Sequence, residues 1–411
     1  MVTVKPFQAY RPKKGMESTI AALPYDVYNR AEAKEVVLKN PKSFLAIDRA
    51  ETSFDDSVDT YDPRVYAKAA EMLKNAMDTG DFVQDEKPMY YIYALTMKGR
   101  CQHGIVACAS IDDYVNGIIK KHENTREDKE IDRIHHVDTC SAQTGPIFLT
   151  YRSNDRLKAV TDKVIATAAE ADFTSEDGIR HQVWKIEDAA DIEEVTGAFG
   201  GMDALYIADG HHRCASAVKV GLKRRAEDPA PSPEKEYNYF LSVIFPEEEL
   251  KILDYNRVVR DLNGHTPDQV LEEIEKNFYV KYCSDFKIAP RQKGQFSCCV
   301  DHKWYLYQIM EDRIPNDPVK SLDVSLLQDY VLEPVFGIKD PRTDSRIDFV
   351  GGIRGVGELE KRCRADGKVA FAMYPTSITE LLDVADAGML MPPKSTWFEP
   401  KLRSGLFVHV I

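Results

Sequence analysis

No stretch of this 411-residue chain approaches the roughly 18 consecutive apolar residues that a membrane-spanning helix needs. The N-terminus, Met1-Val-Thr-Val-Lys-Pro-Phe-Gln8, also lacks the apolar core of a secretory signal. A cytoplasmic protein without a membrane partner is the expectation. Basic blocks are missing too, since 54 Lys plus Arg stand against 67 Asp plus Glu and the formal charge is −13. Binding a phosphate backbone takes clustered cations, so nucleic acid is not an expected partner. The eight cysteines (101, 108, 140, 214, 283, 298, 299 and 363) form no Cys-x-x-Cys pair, which argues against a zinc knuckle or a disulfide framework. They are expected to be reduced and mostly to pack. A Gly-x-Ser-x-Gly elbow and a His-Glu-x-x-His pair are absent, which removes the familiar hydrolase and zinc-protease readings. No internal repeat or low-complexity tract is visible. The oligomeric state is left open, a homo-oligomer included.

What is present is enough apolar material, 43% of residues, to build two or three domains. Short apolar runs alternate with helical spacing, the pattern of an α/β (mixed α+β) fold. Strands are expected at Met89 to Leu95, Gly104 to Ser110, Pro146 to Tyr151, Ala204 to Ala208, Tyr239 to Phe245 and Val369 to Tyr374. Helices are expected at Ala31 to Leu38, Arg64 to Thr79, Asp155 to Ala171, His212 to Val220, Pro267 to Asn277 and Ile378 to Ala387. The Pro-rich stretch Arg224 to Glu236 reads as a surface loop. A domain boundary is expected near residue 260, with a C-terminal α/β domain from 261 to 411.

Ligands of open α/β sheets gather where strands end and helices begin, because unpaired N–H groups point outward there. Four such junctions stand out. In Ile207-Ala-Asp-Gly-His-His-Arg213, Gly210 permits a tight turn and Arg213 offers a planar fork for phosphate or carboxylate. Asp209 is a candidate Mg²⁺ ligand, and the bland alternative is an Asp cap with two solvated histidines. In Lys120-Lys-His-Glu-Asn-Thr-Arg126, Thr125 and Asp128 have capping-box spacing, and Glu123 precedes the helix as a candidate general base. His122, Arg126 and Arg133 could hold an anion, although so charged a run is usually a solvated helix face. The Gly-rich turn in Ile347 to Glu360 matches neither a P-loop nor the dinucleotide fingerprint. Ser377 and Glu380 form a fourth, structural capping box. The C-terminal segment Met391 to Arg403 gathers Lys394, Ser395, Thr396, Lys401 and Arg403 around two aromatics, as a docked strap or a substrate-binding element. Asp26 lies in a loop before a helix begun by Asn29, which a capped turn explains.

Taken together, Leu23-Pro-Tyr-Asp26, Lys121-His-Glu-Asn-Thr125, Asp209-Gly-His-His-Arg213, Arg342-Thr-Asp344 and Met391-Pro-Pro-Lys-Ser-Thr-Trp-Phe398 resemble the bacterial and archaeal family catalogued as domain of unknown function 1015. The resemblance covers nearly the whole chain. The Asp209 loop is also similar to the phosphate-binding box of the ParB and sulfiredoxin superfamily, which implies a nucleotide-binding core of that type within residues 1 to 260. Free serine kinases of that superfamily share an Asp-Gly-x-His-Arg loop and an upstream catalytic glutamate, for which Glu123 is the candidate. Sulfiredoxin chemistry would need cysteine where His211 stands, and the ParB helix-turn-helix is not found.

The resemblance implies phosphoryl transfer between a nucleotide (ADP or ATP, with Mg²⁺) and the hydroxyl of a small metabolite, most naturally serine or phosphoserine. Asp209, His212 and Glu123 are the implied catalytic residues. Gly210, His211, His212 and Arg213 would bind phosphate, while His122, Arg126, Lys394, Ser395 and Thr396 would contact substrate. A phosphoserine phosphatase using the same parts, and a nucleotide-binding regulator without chemistry, are the alternatives.

Overall fold

Runs of Tyr, Ile and Val favour extended backbone and pack well on a pleated surface, and they assemble here into a nine-stranded mixed sheet. In the computed structural model, described for residues 1–125, 127–365 and 369–411, its strands are β1 (Val4–Lys5), β2 (Tyr90–Met97), β3 (Arg100–Ser110), β4 (Ile119–Lys120), β5 (Ile147–Tyr151), β6 (Ala171–Thr174), β7 (Arg180–Ile186), β8 (Leu205–Asp209) and β9 (Tyr239–Pro246). The order is β4-β8-β5-β9-β3-β2-β7-β6, with β1 paired to β3. Its central strands are buried on both faces; β2 carries Tyr90, Tyr91, Ile92 and Tyr93 at 0% exposure. One face packs with Leu157, Val160, Val195 and Phe199 from helices Asp155–Ile165 and Ala189–Gly200.

Two details of pairing decide where the loops go. Strand β8 runs parallel to β4, with Leu205 opposite Ile119 and Tyr206 opposite Lys120. The residues that follow each strand therefore travel side by side, which carries His122 and Glu123 toward Asp209. Strand β8 also runs antiparallel to β5, and the register slips between Ile207 opposite Leu149 and Asp209 opposite Phe148. The extra residue, Ala208, makes a β-bulge, a device that re-aims the chain at the end of a strand.

A 17-residue helix, His211–Glu227, leaves directly from β8. It buries Cys214, Ala215, Ala217, Val218 and Gly221, a stripe at helical spacing, and closes with Arg224 and Arg225 against its negative end. It continues through Arg224 to Glu227, so the loop expected from Arg224 begins four residues later, at Asp228; good helix formers in Lys223-Arg-Arg-Ala-Glu227 carry it on. The helix expected to reach Ala171 stops at Ile165, because Ala171 opens the edge strand β6. Strand β3 begins at Arg100, four residues before the expected Gly104, and elsewhere the expected strands and helices lie within three residues of the observed ones.

The chain divides into two units, Met1–Leu250 with Pro400–Ile411, and Lys251–Glu399. The last twelve residues thus pack with the first unit: Val408 bridges Tyr10, Ser404 bridges Ala22, and His409 pairs with Gln143. The second unit has its own six-stranded antiparallel sheet and helices Pro267–Glu275, Val356–Ala365 and Ile378–Asp386. Its Gly-rich turn serves packing: a side chain on Gly351 would lie 2.9 Å from the Trp397 ring. Among the described residues no helix is long and apolar enough to cross a membrane.

Candidate functional site

At the start of helix His211–Glu227 the cap residue is Gly210, at φ +91°, a conformation that costs an L residue roughly 1–2 kcal/mol. No side chain caps this end, so the first-turn N–H groups are presented at the positive end of the helix. Three charged groups converge on it. Asp209 accepts the Gly210 N–H at 2.8 Å through Oδ1 and the Lys401 ammonium at 2.8 Å through Oδ2. Burial pushes this carboxyl up, but Lys401 and then Arg213 outweigh that and hold it below the usual carboxylate range. The Arg213 guanidinium folds back over Gly210, where a Cβ would sit 3.0 Å from Nη2, and donates to the Pro146 carbonyl at 2.7 Å. Only glycine combines the dihedral with room for that fold.

Arg213 also lines a small cavity with Gly145, Thr144, Ser404, Tyr25 and Arg133. The last two continue into a larger cavity of about 280 Å³ lined by Asp26, Tyr28, Arg49, Lys129 and Asp132 as well. Arg133, 7% exposed, stacks 4.0 Å above the Tyr25 ring and donates to Asp132 at 3.0 Å. Burial opposes its charge, but Asp132, Tyr25 and Asp48 more than compensate and raise its pKa. Burial pushes the Tyr25 phenol up to about 12, so it stays a neutral donor. Thr144 donates to Asp48 at 2.8 Å, and His136, which burial holds at about 4, meets the Ile47 carbonyl at 3.3 Å. Such a chamber is lined by fixed charges and suits a small, polar, charged ligand.

The parallel β4–β8 pairing brings His122, Glu123 and His211 together, with one ligand atom of each within 4.8 Å of the others. The two imidazoles meet edge-to-face at 4.5 Å between centroids. His122 is 2% and His211 6% exposed. Burial lowers the His122 pKa to about 4 and that of His211 well below its ordinary value, so both rings are neutral at pH 7. His212, beside them, is partly exposed. Thr125 donates its hydroxyl to Glu130 at 2.7 Å, at the head of helix Glu127–Cys140.

Arg126 lies outside the described residues. Lys394, Ser395 and Thr396 belong to the second unit: Lys394 lies over the Tyr255 ring, Ser395 donates to the Pro392 carbonyl at 2.6 Å, and the Ser395 carbonyl accepts from Thr376 at 3.1 Å. A resident Mg²⁺ on Asp209 does not fit. Mg²⁺ demands near-octahedral oxygen ligands, whereas both Asp209 oxygens are already engaged and Lys401 supplies the positive charge. Cys214 is fully buried, and burial raises its thiol, which agrees with the misfit to reductase chemistry. Sequence reasoning did not single out Arg49, His136 or Tyr25, and it gave Lys401 no partner. The one available signal was the Pro-Tyr-Asp triplet before the Asn29 cap.

A family model described as "Protein of unknown function (DUF1015)" matches residues 4–325. No curated protein matches the chain. Similar solved structures include a C-terminally truncated SbnI from Staphylococcus aureus, 11% identical, with a TM-score of 0.41 over 74% of this chain and 87% of that one. A free serine kinase in complex with AMP is 14% identical, with a TM-score of 0.35 over 74% and 91% of the two chains. A conserved hypothetical protein from Pyrococcus furiosus is 14% identical, with a TM-score of 0.32 over 75% and 95%.

Proposed function

We propose that this chain, which belongs to the DUF1015 family of unknown function, transfers a phosphoryl group between a nucleotide and the hydroxyl of a small metabolite, with serine as the first substrate to try. The observation that carries this reading is the uncapped helix start at Gly210, flanked by Lys401 and Arg213. A helix N-terminus favours negative charge, and Arg213 and Lys401 add two cations beside it, so an anion is the ligand this end suits. Serine itself comes from the likeness of the Asp209 loop to that of free serine kinases.

Phosphoryl transfer is mainly a matter of positioning and charge neutralisation. In this reading the N–H groups of His211 and His212, with Arg213 and Lys401, hold the nucleotide phosphates. Asp209 holds Lys401 in place rather than a metal. Glu123 accepts the proton of the substrate hydroxyl as that oxygen bonds to the terminal phosphorus and the phosphoanhydride bond breaks toward the nucleotide. His212 steadies the group in transit. The carboxylate end of the substrate is assigned to the cavity of about 280 Å³ lined by Arg133, with the hydroxyl directed out of it toward Glu123. Arg133 faces its carboxylate.

Calorimetric titration of ADP and ATP into the full chain and into Arg213→Ala tests the phosphate half of this reading. The loss of a charge-assisted contact should weaken binding by about 1.5–3 kcal/mol, roughly 10- to 150-fold. An unchanged affinity in the folded variant removes the loop from nucleotide binding.

A further inference from the structure

Three buried nitrogens lie beside one another with nothing to bond to. His122 has no hydrogen-bond partner at either ring nitrogen, and His211 has none at Nε2. Leaving a buried polar atom unpaired costs roughly 1–3 kcal/mol, so a cluster of three asks for an occupant. The neighbour that shares the space is the carboxylate of Glu123. Among the described residues, these three form the one group of three or more His, Cys, Asp or Glu side chains whose ligand atoms converge.

The geometry points to a binding site for a first-row transition-metal dication held by His122, Glu123 and His211. Two imidazoles and one carboxylate form a donor set that suits zinc and its neighbours and leaves at least one position open. Ligand atoms about 2.1 Å from a shared centre stand at most about 4.2 Å apart. The observed spread, within 4.8 Å, closes with shifts of a few tenths of an ångström. Neutral imidazoles are the ligand form, and burial keeps both rings neutral. The helix start opposes a cation, but Glu123 supplies a formal negative charge and Asp209 lies close enough to act on both rings. Nitrogen donors and burial distinguish the site from the oxygen shell that Mg²⁺ requires.

This inference is independent of phosphoryl transfer, since the donor atoms converge whatever the loop binds.

The test uses the full chain, stripped with chelator and titrated with Co²⁺, following its visible d–d absorption and the heat of binding, then displaced by Zn²⁺. One equivalent should bind, with a spectrum free of thiolate-to-metal charge transfer. His122→Asn and His211→Asn should each weaken binding by more than about 100-fold, beyond the 10- to 100-fold typical of changes outside the ligand sphere. Circular dichroism and melting curves check that each variant is folded. A wild-type chain that takes up neither ion overturns the proposal. So does a charge-transfer band that puts the ion on cysteine, or a folded His211→Asn variant that binds as wild type does. These readouts involve no nucleotide, so they fail separately from the kinase reading.

Discussion

Two helix starts in this chain solve the same problem in opposite ways. At Ser377 the hydroxyl accepts the Glu380 N–H at 3.1 Å and the Glu380 carboxylate accepts the Ser377 N–H at 2.8 Å. That end is satisfied by its own side chains and has nothing to offer a ligand. Asn29 and Thr266 are closed in the same manner. At Gly210 no side chain caps the first turn, the backbone is held at positive φ, and the carboxylate that meets this end, Asp209, accepts the Gly210 N–H and the Lys401 ammonium. A chain that can build a capping box three times and builds none at Gly210 leaves that end for something else to complete.

The largest effect expected from this contrast is at Glu123. Glu123→Gln keeps size and polarity but removes the basic oxygen, so turnover should fall by roughly 10²- to 10⁴-fold while nucleotide affinity stays nearly constant. Steady-state rates paired with calorimetry separate the two, and near-normal turnover would return Glu123 to a structural part. Next come the helix starts themselves. Arg213→Ala should lower nucleotide affinity as above and leave the melting temperature nearly unmoved. Ser377→Ala should do the reverse, costing about 1 kcal/mol of stability with no change in affinity. If Ser377→Ala altered nucleotide binding, or Arg213→Ala mainly unfolded the protein, the distinction between a closed and an open helix start would fail.

A further effect is in the pH dependence, where buried groups in the two units act with opposite signs. Burial holds His136 at about 4 and His181 at about 3, below the ordinary 6.5. The unfolded chain therefore binds protons first, and the stability these groups contribute is complete above pH 6.5 and lost as pH falls toward 3. Asp323, in the second unit, is raised by burial from 3.8 to about 7. Its folded form keeps the proton longer, so its contribution is complete below pH 3.8 and lost as pH rises through 7. Asp323→Asn should match wild type in melting experiments at pH 4 and exceed it at pH 8. Equal curves at both pH values would show that Asp323 is not held protonated.

Much of this was legible in the sequence where the determinants are local. Apolar runs located five adjoining strands of the nine-stranded sheet and one of the six-stranded sheet, and a Gly turn after Ile207-Ala-Asp209 marked the open helix start. The capping box at Ser377 was read from its three-residue spacing, and Asn29 was read as the start of a helix. What could not be read depends on register and return. Strand β4 has two residues, too few to show a period, yet its parallel pairing is what brings His122 and Glu123 to His211. Lys401 reaches Asp209 across 192 positions because the last twelve residues pack with the first unit. A boundary near residue 260 was expected with everything beyond it in one domain, and no composition shift signals that the chain comes back. Arg133 looked like part of a solvated charged face; its burial over Tyr25 follows from helix Glu127–Cys140 packing against helix His211–Glu227 and the helix Pro63–Asp78.

The central claim is that the open helix start serves phosphoryl transfer to a hydroxyl. Phosphorus NMR of the wild-type chain with serine and ATP or ADP, and in the reverse direction with phosphoserine and ADP or AMP, measures it directly. The account predicts that in at least one pairing the terminal phosphate resonance of the nucleotide declines as a phosphoserine resonance grows, or the converse. A nucleotide that binds yet returns unchanged from every pairing, with serine and phosphoserine intact, would contradict it.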